Sequence, residues 1–276
     1  MISQRRIASV FACLCVGSTV VGFSLVPTVK ASTPAGLISS AVVSQDGAFG
    51  TIKGRLVYGG AKAPEPKKLD NMSQNPEVCG KKQLFDQKLK VDPKNLGIEF
   101  GFAYLVAPKG SNPKAIEDLL AKSPQVVIDQ NGCEFVPHSV ALLDKQTLVF
   151  TSNDAVGHNV HLTGFSNAGL NQAVQGGGKL EVKLVAEKRA VPLVCDIHPW
   201  MSGQVLVLNH PFFAVTKADG SFEITGVPAG TQNLVVSQEK VGVVTAGGTK
   251  GIAVVVTAGK TTDIGEVKLD PTKIKN

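Results

Sequence analysis

The most constraining feature of this 276-residue chain is Cys195-Asp196-Ile197-His198-Pro199-Trp200-Met201, which packs a thiol, an imidazole and a thioether into one short stretch. A further imidazole stands upstream in Asn153-Asp154-Ala155-Val156-Gly157-His158-Asn159. These donors suit copper. Soft sulfur holds the reduced ion, imidazole serves both oxidation states, and a plane of two His and one Cys with a long axial Met is a known one-electron arrangement. Cys-x-x-His alone also fits zinc, but no second pair of zinc type occurs. Any fold that uses the set must bring the strand carrying His158 against the turn carrying the other three.

The N-terminus bounds the compartment. Arg5 and Arg6 precede an apolar run from Ile7 to Val26, and Val29-Lys30-Ala31 offers a small-residue cleavage site, so residues 1–31 are expected to be an export signal. An uncleaved anchor is the alternative, and only then is a membrane a partner. Ser3-Gln4-Arg5-Arg6-Ile7-Ala8 matches a twin-arginine signal poorly, and Cys13 and Cys15 lack a good lipidation context. The expected location is periplasmic or secreted. Losing Arg5, Arg6 and Lys30 with the signal halves the formal charge of +6. No Lys/Arg block with interleaved aromatics occurs, so nucleic acid is not an expected partner.

Three cysteines remain after cleavage, Cys79, Cys133 and Cys195, an odd number for an oxidising compartment. If Cys195 binds metal, Cys79 and Cys133 are left to pair, with two buried free thiols as the alternative. Closing that loop adds about 4 kcal/mol by the chain-entropy model.

Beyond residue 32, Gly, Pro and β-branched residues punctuate short apolar runs, and the chain is expected to be all-β. Strands are expected at 51–58, 102–106, 125–128, 139–143, 147–151, 159–162, 180–185, 191–194, 204–208, 221–225, 234–236, 252–256 and 262–268. One helix is expected, over 113–121, opened by Ser111-Asn112-Pro113. Residues 32–48 read as a linker, and Ala61-Lys62-Ala63-Pro64-Glu65-Pro66 begins a long irregular connection. Thr216 to Ile224 reads as a hairpin turned by Asp219-Gly220.

Residues 124–209 resemble the cupredoxins, amicyanin above all. The match lies in Phe135-Val136-Pro137, in Asn153-Asp154 before His158-Asn159-Val160, in Cys195-x-x-His198-x-x-Met201 and in the following Gly203-x-Val205-x-Val207. The resemblance implies a Greek-key β-sandwich holding one type 1 copper ion. It implies His158, Cys195 and His198 in the plane, Met201 on the axis, and Asn159 bracing the ligand loop by hydrogen bonds. Pro199 and Trp200 flank His198, which is expected to be the exposed ligand. They offer either an apolar docking rim for a redox partner or a cover for metal and core. His161 falls on the opposite strand face from His158 and is not an expected ligand, and neither are His138 and His210.

A second family resemblance frames this unit. Gly50-Thr51-Ile52-Lys53-Gly54-Arg55-Leu56-Val57, Thr216-x-x-Asp219-Gly220-x-Phe222 and Val227-Pro228-Ala229-Gly230-Thr231 resemble the carboxypeptidase regulatory-like family, which implies a transthyretin-like sandwich. Its first strand precedes residues 124–209 and its hairpin follows them, so residues 49–110 and 211–276 are expected to fold together around the copper unit. The combination is similar to exported plastocyanin-like proteins in which Cys79-Gly80 and Asp129-Gln130-x-Gly132-Cys133-x-Phe135-x-Pro137-His138 recur. A Trp-His-Glu often found there is replaced by Ser237-Gln238-Glu239. No His-Glu-x-x-His, nucleophile elbow or phosphate loop is present. No catalytic residue is therefore expected. The expectation is a copper protein carrying single electrons between a redox donor and acceptor. A copper chaperone or store, and an envelope binding module with a vestigial site, are the alternatives.

Overall fold

The computed structural model describes residues 48–70 and 72–274; the expected export signal, and all of the expected linker except Ala48, lie outside them. The described chain is almost entirely β, built as two sandwiches.

The sandwich that carries the donor residues has one sheet ordered Lys179–Val182, Thr147–Ser152, Gln125–Gln130, Phe135–Val136. The facing sheet is ordered Leu170–Val174, His158–Leu162, Val191–Val194, Ser202–Leu208, Ser139–Leu143. Pro137-His138 carries the chain from the edge of the first sheet to the edge of the second, where a residue without an N–H breaks the ladder. Period-two alternation aims Leu148, Phe150 and Ile128 inward from one sheet and Val160, Leu162, Leu193, Val205 and Val207 from the other. Phe150 is fully buried, and truncating it to Ala would cost about 3–5 kcal/mol.

The second sandwich takes strands from both sides of the first. Phe49–Tyr58 lies between Ser221–Pro228, antiparallel, and Thr261–Leu269, parallel. Phe102–Leu105 lies between Phe213–Val215 and Gly230–Gln238, and the latter also pairs with Ile252–Val256. Ile52, Leu56, Phe222, Ile224, Leu234, Val236 and Val254 fill the space between these sheets. The expected hairpin is a tight turn at Asp219-Gly220 without a paired ladder, because Phe213–Val215 and Ser221–Pro228 join different sheets; Gly220 takes φ +78°, and a side chain there would collide with the Leu56 carbonyl oxygen.

Two strands are buried on both faces, which explains their unbroken apolar runs. Ala103 and Leu105 face the second sandwich's core, while Phe102 and Tyr104 turn outward against Leu206 and Leu208. Val205 and Val207 in turn fill the first core. Phe102, Tyr104, Leu206, Leu208 and Val235 thus weld the two sandwiches together. The same junction buries His210 and pairs His138 with Glu239 at 2.6 Å.

Several elements escape sequence patterning. Leu170–Val174 is an edge strand whose Asn171, Gln172 and Ala173 are exposed, so it shows no apolar alternation. Pro76–Cys79 is a single helical turn, too short to show a period. The expected 180–185 strand ends at Val182, and the expected helix extends to Lys122.

Candidate metal centre

His158 opens the strand His158–Leu162, and Cys195 follows the strand Val191–Val194 directly. The loop from Cys195 closes on itself: Met201 N–H donates to His198 O at 2.8 Å and Cys195 N–H to Met201 O at 3.2 Å. Gly203 then starts the ascent beside His138, whose carbonyl oxygen lies 2.5 Å from where a Cβ would stand. Only glycine lets the two strands approach so closely at the base of the loop.

Three donors meet there. His158 Nδ1 lies 2.9 Å from His198 Nδ1, and Cys195 Sγ lies 3.7 Å from His198 Nδ1. All three residues are at most 1% exposed. Met201, also 1% exposed, is buried in the same core cluster as Cys195.

The outer ring nitrogens are held from behind. His158 Nε2 lies 2.9 Å from Asp154 Oδ2, and that carboxylate also accepts the backbone N–H of Gly132 and of Cys133. The contact orients the His158 ring so that Nε2 faces the carboxylate and Nδ1 faces the cluster. His198 Nε2 lies 3.0 Å from Asn75 Oδ1, an acceptor that orients the second ring in the same way. Two ring nitrogens then face one another beside a sulfur in a buried site. Burial first, and the neighbouring His158 second, hold the His198 pKa below its ordinary value, which keeps the ring neutral. Electron-rich atoms arranged this way repel unless a cation lies between them, and two imidazoles with a thiolate are the donors copper takes. The residues present therefore fit a copper ion.

The Cys195 sulfur and the loop are braced by Asn159. Its N–H points at Cys195 Sγ at 3.4 Å, its Oδ1 accepts Asp196 N–H at 2.6 Å, and its Nδ2 reaches Asn171 Oδ1 and Asp196 Oδ2. Asp196 also takes His161 Nδ1 at 2.9 Å and Asn171 Nδ2 at 2.7 Å. His161 is the main cause of the lowered Asp196 pKa, and it lies on the half-exposed outer face of its strand.

One expectation is corrected. His198 is 0% exposed rather than the exposed ligand. The irregular connection between Lys67 and Phe85 folds back as a strap over the ligand loop and supplies Asn75, while Leu69, Met72 and Val78 pack on the core beside Trp200. A disulfide between Cys79 and Cys133 ties the strap down. Trp200 is half-buried with its ring 5.2 Å from that of His198, and Pro199 and Ile197 remain exposed. They border an open cleft of about 610 Å³ with the strap residues Lys68, Leu69 and Met72.

Asp154 and Asn75 are the residues whose roles the sequence did not disclose. Asp154 has a local signal, an acceptor four residues before His158. Asn75 has only Asn-Pro at the start of a helical turn, which reads as a turn signal. Among the other histidines, His138 engages Glu239 and His210 engages backbone groups, so neither joins the donor cluster.

No family model matches the sequence, and no curated protein matches it. Among solved structures, the chain is similar to a reduced Cu(I) form of an amicyanin variant, at 21% identity over 30% of this chain and 82% of that one, with a TM-score of 0.26. It is also similar to a reduced variant of the same protein at 19% identity, covering 38% of this chain and 98% of that one, with a TM-score of 0.28. A third is a copper-containing nitrite reductase from Thermus scotoductus SA-01, at 18% identity over 30% of this chain and 22% of that one, with a TM-score of 0.27.

Proposed function

We propose that this chain is an exported type 1 copper protein that passes single electrons between redox partners. The observation that carries the reading is the convergence of His158 Nδ1, His198 Nδ1 and Cys195 Sγ in a buried site, with the outer nitrogen of each ring already committed to Asp154 or Asn75. Copper bound there would supply a one-electron couple. The chain's own residues supply rigidity. Two neighbouring antiparallel strands of one sheet, a closed loop and a disulfide-tied strap hold the donors in one arrangement, so little has to move when charge changes. Met201 would be the fourth residue to hold the ion in this reading, and Asn159 restrains the sulfur.

Partners would reach the centre through the cleft bordered by Ile197, Pro199 and Trp200 and the strap, because His198 itself does not reach solvent. The exposed Ile197 and the half-buried Trp200 give the cleft an apolar floor suited to brief contacts. The second sandwich is a scaffold or docking module of transthyretin-like type, and the chain has no catalytic role of its own. A chaperone or store is the second reading. Against it stand buried ligands with no open position, since a donor site needs an exposed ligand for an incoming one to displace.

The test is reconstitution of the exported chain with copper. An intense visible band, a narrow copper hyperfine splitting and reversible one-electron voltammetry are expected. Rapid loss of copper to a competing protein, with one oxidation state strongly preferred, would favour the chaperone. A colourless, copper-loaded protein would end the electron-transfer reading.

A further inference from the structure

The Cys79–Cys133 bridge lies against the donor cluster. Both sulfurs and a ring nitrogen of His198 lie within 4.8 Å of one another, and all three residues are buried. The connections run further. Cys133 N–H donates to Asp154 Oδ2, the atom that holds His158, and Cys79 lies in the helical turn that Asn75 caps, the residue that holds His198. A structural staple needs none of this placement. It would serve equally well anywhere along the strap, yet here its sulfurs are set beside an imidazole.

We propose that reduction of this bridge opens a second soft-metal site beside the first, in which the thiolates of Cys79 and Cys133 take Cu(I) as a two-sulfur pair. A dithiol would supply the two electrons: the Cys79–Cys133 S–S bond breaks, each sulfur gains a proton, and the dithiol leaves as its own disulfide. Cu(I) then displaces the two thiol protons and binds the sulfurs, with no change in its oxidation state. Paired thiolates select Cu(I) over harder ions, and burial shields the site from water. Access lies through the strap. Its fastenings besides the bridge include the Asn75–His198 contact and the Lys82–Glu134 ion pair, whose lysine is exposed. The chain would thus hold one copper when the bridge is closed and accept another when it is open.

The experiment counts Cu(I). The full-length exported chain, with its bridge either intact or reduced by a dithiol that is then removed without air, is titrated with Cu(I) against a chromophoric chelator. One equivalent is expected for the bridged chain and two for the reduced chain. The double variant Cys79→Ser/Cys133→Ser is expected to take one under both conditions. Should that variant fail to fold, reduced Cys195→Ser is loaded with one Cu(I) and its sulfur coordination is measured by X-ray absorption, with two sulfurs expected. Equal uptake by the bridged and reduced wild type, or fewer than two sulfurs around that ion, would overturn the proposal. A bridged chain that takes none while the reduced chain takes one would reject the electron-transfer reading and leave this site standing.

Discussion

Two regions of the molecule bury histidines, and they treat them differently. At the strapped end, His158 and His198 each give one ring nitrogen to a side-chain acceptor and turn the other inward, toward its counterpart. At the junction of the sandwiches, His210 uses both nitrogens on the backbone: Nε2–H donates to Leu105 O at 3.1 Å and Nδ1 accepts Phe212 N–H at 3.2 Å. Burial alone therefore does not mark a ligand. What separates the regions is that the inner ring nitrogens at the strapped end have only each other and a sulfur beside them, whereas both nitrogens of His210 are matched to backbone groups. The junction histidine is a latch, whereas the end histidines turn a nitrogen into a shared donor cluster, the candidate site.

The sharpest way to break the comparison is to remove the sulfur. Cys195→Ser should eliminate the intense visible absorption of the copper-loaded chain while His210 and the junction remain intact, so the far-ultraviolet circular dichroism should not change. A variant that keeps the full band would show that Cys195 does not bind the metal and that the strapped end is only packing.

Removing the acceptor behind a ligand is the next largest effect. Asp154→Ala frees His158 Nε2 and also unpairs the N–H groups of Gly132 and Cys133, so the ring loses its orientation. Copper affinity should fall about 10–100-fold. His210→Gln should leave affinity unchanged, and chelator competition on the two variants measures the contrast directly. Equal losses in both would erase the distinction between the regions.

The junction has its own signature in pH. Burial lowers the His210 pKa from 6.5 to about 4. The unfolded chain therefore takes up the proton first as pH falls. The stability owed to the neutral ring is fully present above the unfolded value and is lost on acidifying through 6.5 toward about 4. The slope is about 1.4 kcal/mol per pH unit, or roughly 3 kcal/mol over the window. Urea midpoints of the copper-free chain at neutral and acid pH should fall more steeply for wild type than for His210→Gln. Both chains contain His158 and His198, so the difference isolates the latch, and parallel slopes would show that His210 is not held neutral.

The same contrast explains what could be seen in advance. The meeting of His158, Cys195 and His198 is legible because two of them share one loop and the third begins a strand with clear alternation. The two sandwiches are legible for a similar reason: runs such as Ser139–Leu143 and Ile252–Val256 announce strands by composition alone. The strap is not legible. Among its described residues it contains only two-residue strands and one helical turn, and its decisive contact joins positions 123 residues apart. Nothing in the local pattern of Asn75-Pro76-Glu77 says that it will cap an imidazole, so His198 read as exposed. Leu170–Val174 was missed for a related reason, since an edge strand with polar side chains on its outer face carries no hydrophobic period.

The strap also yields the smallest expected change. Asn75→Ala deletes one neutral acceptor from His198 Nε2 and leaves the disulfide, the loop and Asp154 in place. One such hydrogen bond is worth about 0.5–1.5 kcal/mol, so copper affinity should fall only about 2–10-fold, less than for Asp154→Ala. Water would take Asn75's place as acceptor, and the ring edge would then meet solvent. Electron exchange with a small inorganic reductant, followed by stopped flow on the copper-loaded chain, should accordingly become faster even as binding weakens. If the rate is unchanged while affinity drops, Asn75 only positions the ring, and the strap does not insulate the centre.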